Sequence, residues 1–142
     1  MIDIQIASRL NGIPDERAFK KWLHSALPKS AELTLRVVNA AEARKLNSAF
    51  RGKDYATNVL TFVYHENKSP ALMGDIVLCA PIVAREAREQ GKTLEAHYAH
   101  LAVHGALHLA GMDHERDSEA QAMETKEIVI LEGLGYANPY AN

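Results

Sequence analysis

The sequence predicts an α/β fold: a single domain over residues 1–142, with a mixed sheet of about four strands, about five helices, and a central helix that ends in a cluster of histidines. Three observations predict it. Four short stretches, near residues 2–6, 33–37, 59–64 and 76–79, carry the alternation or the unbroken apolar run of strands. Longer stretches with apolar residues at helical spacing separate most of them, the β/α order of a layered fold. Only residues 65–73 join the last two strands, too short a link for a parallel crossover, so that pair is antiparallel and the sheet mixed.

Ile2, Ile4 and Ile6 alternate with Asp3, Gln5 and Ala7, the period of a half-buried strand. Asn11-Gly12-Ile13-Pro14 is a turn, and Pro14 suits the first turn of the helix that follows. That helix carries Phe19, Trp22, Leu23, Ala26 and Leu27 at helical spacing and stops near Pro28, with Trp22 a core aromatic. Leu33, Leu35 and Val37 mark a second strand, after which Asn39 is positioned to cap a helix from about Ala40 to about Phe50. Val59-Leu60-Thr61-Phe62-Val63-Tyr64 is a β-branched and aromatic third strand. His65 follows, in a connection expected to be exposed. Gly74-Asp75 opens the fourth strand, Ile76-Val77-Leu78-Cys79, whose continuous apolar run marks burial on both faces. Asp75 reads either as a strand-start residue or as a supporting partner of a functional site. Pro81 starts a polar helix that Gly91 ends, its Arg85, Arg88 and Glu89 forming a solvated face. Thr93 caps a long helix from Leu94 to Ala110, which Leu94, Leu101, Val103, Leu107 and Leu109 bury. The last helix starts acidic, as the macrodipole favours, and turns Ala120, Met123, Ile130, Leu131 and Leu134 inward. Gly133 and Gly135 end it, leaving residues 136–140 as a tail.

The chemistry concentrates in residues 104–114, His-Gly-Ala-Leu-His-Leu-Ala-Gly-Met-Asp-His. His104 and His108 are four apart, so on a helix they share one face and both reach one metal ion. Gly111 takes the left-handed backbone that ends a helix and reverses the chain, which would bring His114 to the same point. Three imidazoles leave a fourth position open, the arrangement of catalytic rather than structural zinc. A fourth protein ligand would instead favour a structural metal. A third in-line histidine overshoots one tetrahedral site, so His100, and likewise His97, are read as supporting or structural. The metzincin proteases share this spacing but need a glutamate directly after the first histidine as general base. That position is Gly105 here, so a peptidase would have to borrow a base such as Asp113.

A second polar stretch, Arg51-Gly52-Lys53-Asp54-Tyr55-Ala56-Thr57-Asn58, lies between a helix and a strand that would hold it firmly. An arginine and a lysine fixed near a metal bind phosphate. The net charge of −2 supplies no global basic field, so any nucleic acid must be met by such a local patch. The single cysteine, Cys79, forms no internal disulfide and reads as a small buried hydrophobe, in keeping with a reducing compartment. The N-terminal residues have neither a basic start nor a long apolar run, and no span reads as a membrane helix, so the expected location is cytoplasmic.

Residues 46–53, 57–62, 74–76 and 104–114, with Leu134-Gly135-Tyr136, together resemble the YbeY family of bacterial metallo-endoribonucleases over nearly the full length. Many members have Asp where this chain has Asn58 and Ser where it has Thr61, so a role that needs a carboxylate at 58 cannot operate here. The resemblance implies a zinc ion on His104, His108 and His114, and places the family's functional arginine on Arg51. It also implies single-strand-specific RNA cleavage, maturation of the 3′ end of 16S rRNA and late-stage ribosome quality control, with the small ribosomal subunit and the GTPase Era as partners. The expected site is therefore the three histidines as metal ligands, Arg51 stabilising the transition state and Lys53 holding the RNA backbone. Two rival expectations are a metal-dependent hydrolase of another substrate, such as a peptide, and a ribosome-assembly binder with a structural metal.

Overall fold

The computed structural model describes residues 1–64, 72–112 and 116–141; His65, Asp113 and His114 lie outside the described residues. The elements run β1 (Ile2–Ile6), α1 (Glu16–Ala26), β2 (Glu32–Val38), α2 (Ala40–Arg51), β3 (Val59–Tyr64), β4 (Met73–Cys79), α3 (Ala80–Gln90), α4 (Leu94–Leu109) and α5 (Asp117–Gly133). The sheet order is β1-β2-β4-β3. β1, β2 and β4 are parallel, and β3 is antiparallel to β4 with Thr61 opposite Ile76. This is the mixed sheet that the short link between the last two strands implies. No described helix is long and apolar enough to cross a membrane.

Local chemistry accounts for most boundaries, with three differences from the sequence expectation. α1 starts at Glu16, because Asp15 is its N-cap and accepts from the Ala18 N–H at 2.9 Å. A side chain that satisfies a first-turn amide sets the boundary, and Pro14 precedes the cap. Asn39 holds the N-cap position of α2 with extended backbone but makes no capping bond with its side chain. α2 also runs one residue further than expected, so Arg51 is its last residue and not part of the following loop. Thr93 caps α4 through the Ala96 N–H at 3.1 Å, and Gly91, at φ 66°, ends α3.

The sheet is covered unequally on its two faces. The larger core joins β1, β2 and β4 to α1, α4 and α5, with Phe19, Trp22, Leu35, Ile76, Leu107 and Leu131 among its fully buried side chains. Phe19 meets both Trp22 and Tyr98 edge-on, at 5.3 and 5.7 Å between ring centroids. The smaller core, Val38, Ala43, Leu60, Val77 and Cys79, lies under α2 on the other face. Residues 136–140 are not a loose tail: Tyr136 stacks edge-on to Trp22 at 6.1 Å, and Tyr140 reaches α5. An aromatic side chain on a short extension gains more by docking on a core ring than it loses in order.

α4 is the central helix. It is apolar around most of its circumference, the pattern of a helix enclosed by protein on several sides. Gly105 lies where it crosses the sheet: a Cβ there would meet Ile76 Cγ2 at 3.2 Å. Residue 105 thus points into the core, which leaves a glutamate at this position no route to solvent.

Candidate metal centre

α4 reaches solvent at both ends, through Glu95 in its first turn and again along its last two turns. His104 and His108, one turn apart, are half-buried while their neighbours Val103, Gly105, Ala106 and Leu107 are buried. Both imidazoles line a cleft of about 510 Å³ whose opposite wall is the end of α2 and the loop after it.

That wall is built to hold cations still. Gly52 ends α2 in the left-handed conformation, φ 68°, with its N–H on the Ser48 and Asn47 carbonyls. The turn aims Arg51 and Lys53 into the cleft. Asn47 is buried and donates Nδ2 to the Tyr55 carbonyl at 2.9 Å, stapling the loop to the helix. At the loop's far end the Asn58 carbonyl accepts from the Cys79 N–H at 2.9 Å. Arg51 donates Nη2 to the Thr61 carbonyl at 2.9 Å, and its guanidinium carbon lies 5.9 Å from the Phe62 ring centroid. Among the described residues neither Arg51 nor Lys53 is paired with a carboxylate, whereas Arg44 next door is, with Asp54 at 2.8 Å.

Behind the histidines lies a carboxylate the sequence reading did not single out. Glu127 of α5 is fully buried and accepts from His104 Nδ1 through Oε1 and from the Tyr140 hydroxyl through Oε2. His100 Nε2 is 3.5 Å from the same Oε2 and 3.2 Å from the Tyr140 oxygen. Burial opposes the charge on Glu127, but hydrogen bonds from His100, His104 and Tyr140 outweigh it and hold the carboxyl down to about 2, so it is ionised. Its signal was present in the sequence: Met123, Glu127 and Leu131 repeat every four residues, which puts a glutamate on the buried stripe of α5.

Two donor sets therefore meet at His104. Among the described residues, His100, His104 and Glu127 have donor atoms within 4.8 Å of one another and could hold a metal. The other set is His104 and His108 at the cleft, with His114 outside the described residues. The inner set offers nitrogen and carboxylate donors and the cleft set nitrogen donors alone, and either suits a borderline divalent cation such as zinc. In the inner set both Glu127 oxygens already accept hydrogen bonds, and the carboxylate has no contact with solvent.

The remaining polar candidates are accounted for elsewhere. His97 is buried and bonds Glu86 of α3 through Nε2 at 3.0 Å, and Asn58 donates to the same Glu86 at 3.1 Å. Asp75 accepts from the Tyr64 hydroxyl across β3 and β4 and does not line the cleft. Cys79 is buried, and desolvation pushes its thiol up, consistent with a packing role.

A family model described as Endoribonuclease YbeY matches residues 5–135. The Endoribonuclease YbeY of Aromatoleum aromaticum is 60% identical over 128 residues, covering 90% of this chain and 82% of that protein. The one from Methylobacillus flagellatus is 52% identical over 141 residues, covering 99% and 93%. The one from Azoarcus sp. is 55% identical over 152 residues; the match takes in 99% of this chain but 60% of that longer relative. Among solved structures, the solution structure of TM1509 from Thermotoga maritima matches over 100% of both chains, with a TM-score of 0.57 and 26% identity.

Proposed function

The chain belongs to the YbeY family of endoribonucleases, hydrolases that cleave RNA, and on that premise we propose that it is a zinc-dependent endoribonuclease specific for single strands. Its substrate in this reading is 16S rRNA, whose 3′ end it matures in the cytoplasm as part of late-stage ribosome quality control. The small ribosomal subunit and the GTPase Era are its partners. The observation that carries the reading is the cleft itself, which two imidazoles line together with an arginine and a lysine.

In this reading His104, His108 and His114 hold the ion. Glu127 keeps a proton on His104 Nδ1, so that His104 ligates through Nε2; a carboxylate behind a ligating imidazole fixes its tautomer and orientation. That arrangement favours the cleft set over the buried one. Zinc, when bound, supplies Lewis acidity toward a phosphate oxygen or a water molecule. Arg51, anchored on Thr61, meets the non-bridging oxygens of the scissile phosphate as negative charge builds there, and Lys53 holds a neighbouring phosphate. A water nucleophile and the RNA's own 2′-OH leave different 3′ termini, so end analysis of the product distinguishes them. A peptidase would have to borrow a base such as Asp113, which lies outside the described residues, and digesting peptide and RNA substrates side by side separates the two readings.

The test is metal analysis of the purified protein together with cleavage of single- and double-stranded RNA, with and without chelator. Wild type should carry one zinc ion and cut single strands. Arg51→Ala should keep the metal but lose about 10²–10³ in rate. His108→Ala should lose both metal and cleavage. Cleavage that survives chelation, or an Arg51→Ala enzyme of full activity, overturns the assignment.

A further inference from the structure

The geometry points to a second RNA subsite, a nucleobase-stacking groove on the half-covered face of the sheet, with Phe50 and Tyr64 as its stacking surfaces. The inference rests on the endoribonuclease reading and extends it by saying where the strand goes as it leaves the cleft.

α2 covers only part of its face of the sheet. Beyond the small core beneath it, Phe62 and Tyr64 of β3 and Asp75 of β4 floor a groove of about 760 Å³, with Phe50 on the last turns of α2 as its wall. Two large aromatic side chains are left open to solvent there, Phe50 at 68% and Tyr64 at 51% exposure. Phe50 is not free to swing, since its ring sits edge-on to Phe62 with centroids 5.4 Å apart. The Tyr64 ring is held in the same way by its hydroxyl's hydrogen bond to Asp75. Exposed aromatic rings with their orientation set in advance are what unpaired bases stack on, at little cost in side-chain order.

The charges match one part of a nucleotide and not the other. Within the groove Arg36 is neutralised by Glu42 at 2.6 Å, and Asp75 is taken by Tyr64, so nothing there is arranged to bind phosphate. Arg51 and Lys53, neither paired with a carboxylate among the described residues, line the neighbouring cleft. Thr61 lines both cavities, and Arg51 stands beside it with its guanidinium on the Thr61 carbonyl and near the Phe62 ring. In this proposal a strand with a phosphate at Arg51 passes Thr61 and lays a neighbouring base against Phe50 or Tyr64. A duplex, whose bases are already stacked and paired, gains nothing from this groove, so the same feature contributes to a preference for single strands. The shared lining at Thr61 and the two exposed rings beside it favour RNA over a protein as the occupant.

The test is a fluorescence anisotropy titration of a labelled single-stranded oligoribonucleotide against the metal-loaded protein, run beside the cleavage assay. Phe50→Ala and Tyr64→Ala remove exposed side chains and should each weaken single-strand binding about 10-fold, the loss of one stacked base. Affinity for a duplex of the same sequence should stay within about twofold. Phe50→Trp should restore single-strand binding, and the new indole should be quenched on adding RNA, a signal that a merely structural role would not produce. Unchanged single-strand affinity in both alanine variants overturns the subsite even if the enzyme cleaves RNA. So does a loss confined to binding of small-subunit particles, which would make the groove a protein-docking surface. Weakened binding without any cleavage by wild type supports the groove and instead removes the catalytic reading.

Discussion

Glu127 shows how a single side chain decides what a histidine can do. The carboxylate lies 23 positions from His104 and is fully buried, yet its Oε1 takes the imidazole's Nδ1 hydrogen bond. Glu127→Gln keeps the shape and an acceptor but removes the charge that makes the imidazole a stronger donor. Metal affinity should fall about 10- to 100-fold, read by competition with a chromophoric chelator. If affinity is unchanged, Glu127 is a buried polar group of the core and nothing more. The histidines were legible in the sequence because four-residue spacing is a property of the helix itself. Glu127 was less so. An acid on an apolar stripe states that it needs a partner, and nothing local states which one.

At the scale of elements, the fit of α4 against β4 carries the site. Gly105 is a point of close approach, and a Cβ there stands 3.2 Å from Ile76 Cγ2, so a larger side chain must displace Ile76. Gly105→Glu should destabilise the fold by about 3 kcal/mol or more, through overpacking and a carboxylate with no solvent. Chemical denaturation checks this, and near-native stability would mean that residue 105 does not point into the core. The junction between α3 and α4 is a pH-sensitive counterpart. Burial lowers the pKa of His97 below its ordinary 6.5, against the upward pull of Glu86, so the folded protein binds this proton less tightly than the unfolded chain. The stability this provides is complete above about pH 6.5 and is lost as pH falls from there through the lowered folded value, with a limiting slope of about 1.4 kcal/mol per pH unit. Urea melts between pH 7.5 and 5 should therefore give a shallower acid slope for His97→Gln than for wild type, and equal slopes would sink the argument. Strand and helix positions were readable from periodicity, and cap chemistry moved the boundaries by a residue or two. One such shift matters for function: placing Arg51 inside α2 ties its direction to a rigid helix end.

Over the whole molecule, the uneven covering of the sheet organises the chemistry. One face is closed by α1, α4 and α5, and the other only partly by α2, which leaves a cleft and a groove that share Thr61 in their linings. The sequence by itself determined the α/β class, the mixed sheet, the paired imidazoles of α4 and the cationic turn after α2. Each of these follows from repeats and turn residues that act over a few positions, where backbone geometry leaves little choice. The tertiary structure alone decided that Arg51 faces His104 across one cleft, that α5 supplies Glu127, that the C-terminal residues dock through Tyr136 and Tyr140, and that Phe50 and Tyr64 border one groove. Those meetings are brought about by burial of apolar surface. That force has no direction and is satisfied by many pairings, so only the packed molecule records which one was chosen.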